Sequence, residues 1–410
     1  MTREFLIESR HPKVLLALRW FNIFACLISI CFVCKSCFSP KGKEAKDSPG
    51  TIAEGWDKVL IQHARGFDIS YQDTHKLLRI FQAGDTAHYM LLPEGAGRPD
   101  VYPQAQVIRI PVQRLVALST THVALADFLE TDDIIVGLDN PAYVYDSDVR
   151  QRVASGQITQ VGEGGSLNQE MVIALEPDLL MVSGMPGTVL SKYQPIVGSG
   201  IPVIINNEWM EQSPLAKAEW VKLMAALTNR EALASVKFDA VRQAYNQIKQ
   251  LTDSLTERPE IISGSPFQGA WYVPGARSYR ARLYQDAGAS WPGPYLAERV
   301  SAPTDNGTIS QPVSFEIMYR QGLTADYWLN PGMYYSMDEL IEKDERFADF
   351  KSVQNRQVFN NNRRQTPDGS GNDFFESAVV NPHRVLADLT HILHPELLPN
   401  HTLYYYQKLN

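Results

Sequence analysis

Apolar residues recur along this chain in two alternating rhythms. VIRIPVQRLVALS (107–119) carries β-branched residues in partial alternation, which predicts a strand. THVALADFLE (121–130) places Val123, Leu125, Ala126 and Leu129 at helical spacing, and DDIIVGLDN (132–140) is a short apolar run closed by Gly and Asn. The order strand, helix, strand then repeats. NQEMVIALEPDLLMVSG (168–184) reads as a helix running into a buried strand, with Pro177-Asp178 at the junction. SKYQPIVGSGIPVIINN (191–207) does the same, with Gly198 and Gly200 in the turn. Helices alternating with short apolar strands predict a parallel sheet covered on both faces.

The rhythm changes between Ser213 and Leu255, where no strand pattern appears. Phe238, Val241, Tyr245, Ile248 and Leu255 share one helical face with polar residues elsewhere, which predicts a single long helix over 230–256, closed by Pro259. A second α/β region follows in PEIISGS (259–265), ARSYRARLYQDAG (276–288), SFEIMYRQGLTADYWLNPG (314–332) and RQVFNNN (356–362), and the last helix lies within HRVLADLTHILHPEL (383–397). The two regions echo each other. Glu170 precedes Pro177-Asp178 and an apolar strand; Glu316 precedes Ala325-Asp326 and YWLN. Both glutamates open a helix, where the helix dipole favours a carboxylate.

Composition adds two points. With 410 residues, 44% of them hydrophobic, the chain is long enough for two cores. Its net charge of -8, with no basic stripe, argues against nucleic acid as a partner. The cysteines are more informative. All four (Cys26, Cys31, Cys34 and Cys37) lie near the start, which suits neither a disulfide framework nor a zinc site. Arg3, Arg10, Lys13 and Arg19 lead into a mostly apolar run from Trp20 to Cys34, and a polar stretch rich in Pro, Gly and Lys follows. That is the layout of a secretory signal, with small Ser36 just before Cys37 as lipidation of Cys37 requires. An uncleaved membrane anchor is the alternative. Either arrangement puts the remainder outside the cytoplasm. Residues 1–36 read as the lipoprotein signal peptide and 37–55 as a flexible tether.

Enzyme motifs are scarce: there is no GxSxG elbow, no Walker A sequence, no HExxH, and VGEGGSLNQ does not complete a GxGxxG fingerprint. No catalytic residue and no resident metal site is assigned. What stands out are two loops at predicted strand ends, SGSPFQGAWYVPGARSYRARL (263–283) and NNNRRQTPDGSGNDFFESAVVNPH (360–383). Trp271, Tyr272 and Tyr279 are candidate flat walls. Arg280, Arg363 and Arg364, with Arg277, are candidate partners for anionic oxygens or a ring system. Ser119 and Thr120, at the end of the first predicted strand, complete the candidate ligand-binding set, because ligands of open α/β sheets sit at the carboxyl ends of strands.

Five stretches, in order, carry a family resemblance: LVALSTTHVALADFLETDDIIVG (115–137), NQEMVIALEPDLLMV (168–182), SPLAKAEWVKLMAALT (213–228), GAWYVPGARSYRARLYQDAGASW (269–291) and GNDFFESAVVNPHRVLADLTHILHPELLP (371–399). Over roughly residues 56–400 the chain resembles the substrate-binding lipoproteins of ABC importers for iron–siderophore complexes and cobalamin, especially those of Bacteroidetes-type bacteria. The resemblance implies an α/β fold of two Rossmann-like lobes joined by a single long helix, the class III periplasmic binding protein of the helical-backbone metal receptor type. The lobes would span 56–212 and 259–410, with a helical linker region at 213–258. It implies a non-enzymatic, periplasmic, membrane-anchored lipoprotein without cofactor, whose transported ligand is a metal chelate: a ferric siderophore first, then cobalamin or another corrinoid, then heme. For heme, His122, Tyr272 and Tyr279 are the candidate axial ligands. The implied partners are the permease and ATPase of the importer, docked through one acidic residue on each lobe. Glu170 and Glu316 are the symmetric choice, with Glu208, Glu211, Glu219 and Glu376 as rivals. Remoter alternatives are a non-transport sensor or an enzyme on the same fold.

Overall fold

A computed structural model describes residues 56–82, 85–163, 166–184, 190–292, 310–332 and 334–410. The signal peptide, the tether and Cys37 lie outside the described residues. The chain opens with a sheet that the sequence reading did not anticipate: β1 (Phe67–Tyr71), β2 (Lys76–Gln82), β3 (Asp85–Pro93) and β4 (Gln106–Ile110). The first three strands pair antiparallel and β3 pairs parallel with β4. Both faces are buried. Tyr89 and Leu91 join the first-lobe core, while Met90 and Leu92 turn to a small cluster with Ala105. The predicted strand over 107–119 is in fact two strands in two sheets, because Pro111 and its neighbours separate β4 from β5 (Leu115–Ala117).

The first lobe then follows the predicted alternation. It contains α1 (Thr120–Phe128), β6 (Ile135–Leu138), α2 (Ser147–Ala154) and β7 (Thr159–Gln160). A two-residue hairpin, β8 (Gly162–Glu163) and β9 (Ser166–Leu167), leads to α3 (Gln169–Ala174), β10 (Leu179–Ser183), α4 (Gln194–Gly198) and β11 (Val203–Asn206). The strands form one parallel sheet in the order β11-β10-β5-β6-β7. Its helices are started by short polar side chains: Ser119 caps α1, Asp146 caps α2 and Asn168 caps α3.

Two short helices, α5 (Pro214–Ala218) and α6 (Val221–Thr228), lead to the 23-residue α7 (Glu231–Asp253). This helix belongs to both cores. Ala234 and Phe238 pack into the first-lobe cluster, whereas Tyr245 and Ile248 pack into the second. Its first turn is fixed by Lys76, fully buried on β2, whose ammonium pairs with Glu231 and donates to Asn229 Oδ1 (2.8 Å) and Ala226 O (2.9 Å). A buried charge needs such compensation.

The second lobe contains β12 (Ile261–Ser263), β13 (Pro266–Phe267), β14 (Ala270–Val273), α8 (Tyr279–Asp286), β15 (Gln311–Val313), α9 (Phe315–Gly322) and β16 (Tyr327–Leu329). After these come α10 (Met337–Lys343), α11 (Lys351–Gln354), β17 (Val358–Asn360), α12 (Pro382–Leu393) and β18 (Gln407–Lys408). Strands β12, β16 and β17 are parallel, β18 closes one edge antiparallel, and β13-β14-β15 form a separate antiparallel sheet. The echo between the halves is structural. Asp178 Oδ2 accepts from the backbone N–H groups of Gln113 (2.8 Å) and Arg114 (2.9 Å), at the start of the neighbouring strand. Asp326 Oδ2 accepts from Glu260 N (2.9 Å) at the corresponding place in the second sheet.

Candidate functional site

The C-terminal ends of β5, β10 and β11 all face one cleft of about 260 Å³ between the lobes. Ser119 and Thr121 enter it after β5, Ser183 from the end of β10, and Glu208 and Trp209 from the turn after β11. That turn is held by Asn206 Oδ1, which accepts from Glu208 N (3.1 Å). Helix α5, packed against that turn, contributes Lys217, and α8 contributes Tyr279, Arg280 and Leu283. Phe374, Phe375 and Val379 supply much of the apolar surface. A wider depression of about 490 Å³, around Phe267, Gly332 and Tyr334, is lined by the second lobe alone. The interlobe cleft is the better candidate because it gathers the strand ends of one lobe with Lys217 of α5 and Arg280 of the other lobe.

Its charges are coupled. Lys217 Nζ lies 4.3 Å from the Tyr279 ring centroid. Burial opposes ionisation of the Tyr279 phenol, but the Lys217 and Arg280 cations outweigh it and bring the phenol down to about 8. The same phenol raises Arg280. Burial pushes the Glu208 carboxyl up, offset in part by Lys217 and a hydrogen bond with Thr121. Among the described residues, Glu208 Oε2 and Trp209 Nε1 have no hydrogen-bond partner. Among the described residues no group of three or more His, Cys, Asp or Glu side chains is placed to hold a metal ion.

Of the residues singled out from sequence, Ser119, Tyr279 and Arg280 line this cleft. Thr120 is at the lobe junction, where its hydroxyl donates to Phe375 O (3.0 Å). Four others need correction. Trp271 is fully buried in the second-lobe core, packed at tilted and edge-on angles among Trp328, Phe347 and Phe350, and its indole N–H donates to Ser263 O (2.9 Å). Tyr272, the next residue on β14, points the opposite way and is exposed. Arg364 is already neutralised by Asp373 (2.5 Å) and lies over the Tyr404 ring, while Arg363 is exposed. None of these four lines the cleft. His122 is buried in the first lobe, where desolvation lowers it to about 3.

The reading missed Thr121, Ser183, Trp209, Lys217 and the Phe374–Phe375 pair. For Trp209 the signal was present, since it follows an apolar strand. Lys217, on a short helix among alanines, gave none.

The acidic residues separate clearly. Glu170 and Glu316 are exposed, each the second residue of its helix and two positions after the capping Asn168 or Ser314. The four rivals are buried, and three of them are committed to partners inside the protein. Glu211 accepts from Gly66 N and the Trp220 indole, each at 2.9 Å. Glu219 accepts from His63 N (2.6 Å), Ala64 N (2.7 Å) and Lys222 (2.6 Å). Glu376 accepts from Tyr145 N (2.7 Å) and Asp146 N (3.0 Å) of the first lobe. Glu208 lines the cleft.

Two α/β lobes, one helix shared by their cores and a polar cleft at the strand ends define a class III periplasmic binding fold. The chain belongs to the periplasmic binding protein family, whose model matches residues 115–362. It is 25% identical over 380 residues, 86% of either chain, to an uncharacterised lipoprotein of Methanocaldococcus jannaschii. Similar solved structures include a periplasmic binding protein of Veillonella parvula (TM-score 0.53, 13% identity, covering 78% of this chain and 99% of that one). Another is a periplasmic heme binding protein of Pseudomonas aeruginosa (TM-score 0.52, 14% identity, 73% and 98%). A third is a possible iron-binding periplasmic solute-binding protein of Staphylococcus epidermidis (TM-score 0.51, 18% identity, 69% and 98%). At these identities the likeness is one of fold.

Proposed function

We propose that this chain is the solute-binding component of an ABC importer: it captures a metal chelate, a ferric siderophore in the first instance, in the interlobe cleft and hands it to a permease–ATPase complex. The observation that carries the reading is the cleft itself, where aromatic surface from Phe374 and Phe375 meets the Lys217 and Arg280 cations. That pairing suits a ligand with flat or apolar flanks and anionic oxygens. Family membership and neighbours described as iron- and heme-binding support it. A corrinoid or heme is the alternative cargo. Glu170 and Glu316, exposed at equivalent places on the two lobes, are the proposed contacts to the permease, and Cys37 the proposed lipid attachment, which would hold the lobes outside the cytoplasmic membrane.

The test is titration of the purified chain with ferric siderophores, cobalamin, cobinamide and heme, following tryptophan fluorescence. Trp209, in the cleft wall, is the expected reporter. Saturable quenching by one ligand class, weakened at least tenfold by Arg280→Gln in a folded protein, supports the reading. Flat titrations across the panel overturn it.

A further inference from the structure

The second-lobe depression is built from the loops that leave β12 and β16. Ligands of open α/β sheets gather at such carboxyl ends. Ser263, the last residue of β12, and Asn330, the first after β16, both bond the Tyr284 hydroxyl (2.7 and 3.1 Å). Tyr284 belongs to α8, the helix that brings Tyr279 and Arg280 to the interlobe cleft. Two residues beyond each of these partners, Ser265 and Gly332 enter the depression. Both sites therefore draw on the carboxyl end of the second sheet.

Aromatic rings are brought to it by backbone geometry. Gln268 and Gly269 have φ of 49° and 84°, so β13 and β14 are joined by a two-residue turn with both φ positive, the form that suits a hairpin's twist. That register sets Phe267 opposite Ala270, and Tyr272, two residues on, shares their face. The other face sends Trp271 into the core, while Phe267 stays 64% exposed and Tyr272 44%. Gly332, at φ 120°, would set a Cβ 3.1 Å from Ser265 Oγ, so the glycine lets the two loops close up. Phe267 and Tyr334 then line one depression. Among the described lining residues, Lys343, the last of α10, is the one charged group. The volume of about 490 Å³ lies within the range of small-molecule sites. Ring faces suit a flat conjugated group, and a lone cation suits an anionic oxygen. We infer that Phe267, Tyr334 and Lys343 form a second-lobe subsite for an aryl group bearing an anionic oxygen, with Tyr272 extending the hairpin face. The arm of a metal chelate and a free aromatic acid share that chemistry. The first source rests on the chelate-binding reading and narrows it: catecholate chelates are preferred over aliphatic hydroxamates.

Calorimetry on the full purified chain tests this with ferric enterobactin, whose arms are catecholates, with ferric ferrioxamine B, which has no aromatic ring, and with metal-free 2,3-dihydroxybenzoate. Phe267→Ala is expected to weaken enterobactin binding about five- to tenfold and Lys343→Met about two- to fivefold, with ferrioxamine B unchanged. Phe267 is exposed, so its variant should melt with the wild type, and lost binding is not lost folding. Saturable binding of 2,3-dihydroxybenzoate that Phe267→Ala weakens, beside enterobactin binding that it does not, supports the subsite with a free acid as its ligand. If enterobactin binds and neither substitution weakens it or the free acid, or if ferrioxamine B is weakened equally, the subsite is wrong and the chelate reading stands. If neither aromatic probe binds, the subsite is wrong, and binding of ferrioxamine B then decides whether the chelate reading survives.

Discussion

Tyr279 gives the electrostatics of the cleft an optical readout. Lys217 Nζ sits 4.3 Å from its ring centroid, and Arg280 follows it on α8. A unit charge about 4 Å from the phenolate oxygen would be worth about 4 kcal/mol at an effective dielectric near 20. Burial takes part of this back, and the phenol ends at about 8 against an ordinary 10. The net is roughly 3 kcal/mol in favour of the phenolate. Among the described residues no other tyrosine shifts downward, and those that shift, such as Tyr89, Tyr284 and Tyr405, all move up. Absorbance at 295 nm should therefore show one of the 18 tyrosines ionising near pH 8, well ahead of the rest. Tyr279→Phe should remove that step. Lys217→Met should carry it back to 10 or above, since burial then acts with one cation fewer. The sign for folding follows. A phenol with a folded pKa below its unfolded one adds stability as pH rises from 8 to 10, and the contribution is lost as pH falls through 8. An anionic ligand seated against Lys217 and Arg280 should push the step upward. A difference spectrum between wild type and Tyr279→Phe with no phenolate below pH 9, or a Lys217→Met protein still titrating near 8, would refute this account.

Other consequences concern the junctions. Burial raises Glu376 to about 8, against two backbone N–H donors that pull it down. Between roughly pH 4.5 and 8 the folded chain then holds a proton that the unfolded chain has lost, so stability relative to Glu376→Gln should fall as pH rises through that window, by up to about 1.4 kcal/mol per pH unit. A gap that does not change with pH in urea denaturation from pH 5 to 8 would count against it. Asp178→Asn, which weakens hydrogen bonds to Gln113 N and Arg114 N, should cost about 1–3 kcal/mol of unfolding free energy in the same assay; a loss under about 0.5 kcal/mol would show the bonds to be incidental. Glu170→Ala with Glu316→Ala should leave ligand affinity unchanged and cost about 1 kcal/mol of stability or less, yet reduce chelate uptake by vesicles carrying the permease and ATPase. Undiminished uptake would place the docking elsewhere.

The sequence carried the fold where period and burial agree. Val123, Leu125 and Ala126 at helical spacing, and the apolar runs at β10 and β11, read correctly because parallel strands buried on both faces are almost wholly apolar. The first sheet stayed hidden because Lys76 and Arg79 interrupt KLLRIFQ. Lys76 is tolerated there only because Glu231, 155 residues away, neutralises it. The candidate site failed for a related reason. Residue type located the aromatic–arginine loops, but on β14 the strand's two-residue period sends Trp271 inward and Tyr272 outward, and neither reaches the cleft. Arg364 looked free in sequence and is taken by Asp373, nine residues on. Helix α8 was legible, and it places Tyr279 and Arg280 at the cleft.

The two lobes are tied at two places, and this bears on how a ligand is chosen. One tie is α7, with its first half in one core and its second half in the other. The other is the 370–376 segment, where Ser370 donates to Ala142 O (2.8 Å), Thr120 donates to Phe375 O (3.0 Å) and the two oxygens of the Glu376 carboxyl accept from Tyr145 N and Asp146 N. A wide opening would break these bonds, two of the four at partly buried atoms, at about 1 kcal/mol each. The lobes therefore have little freedom to close over a bulky molecule. A cleft of about 260 Å³ is at the small end for a ligand site, so on the proposed reading a large chelate would be engaged on one face rather than enclosed. Selection must then rest on the polar atoms of that one face. On that reading, Glu208 and Trp209 from the first lobe, and the Lys217–Tyr279–Arg280 group, are where discrimination between chelates should be found.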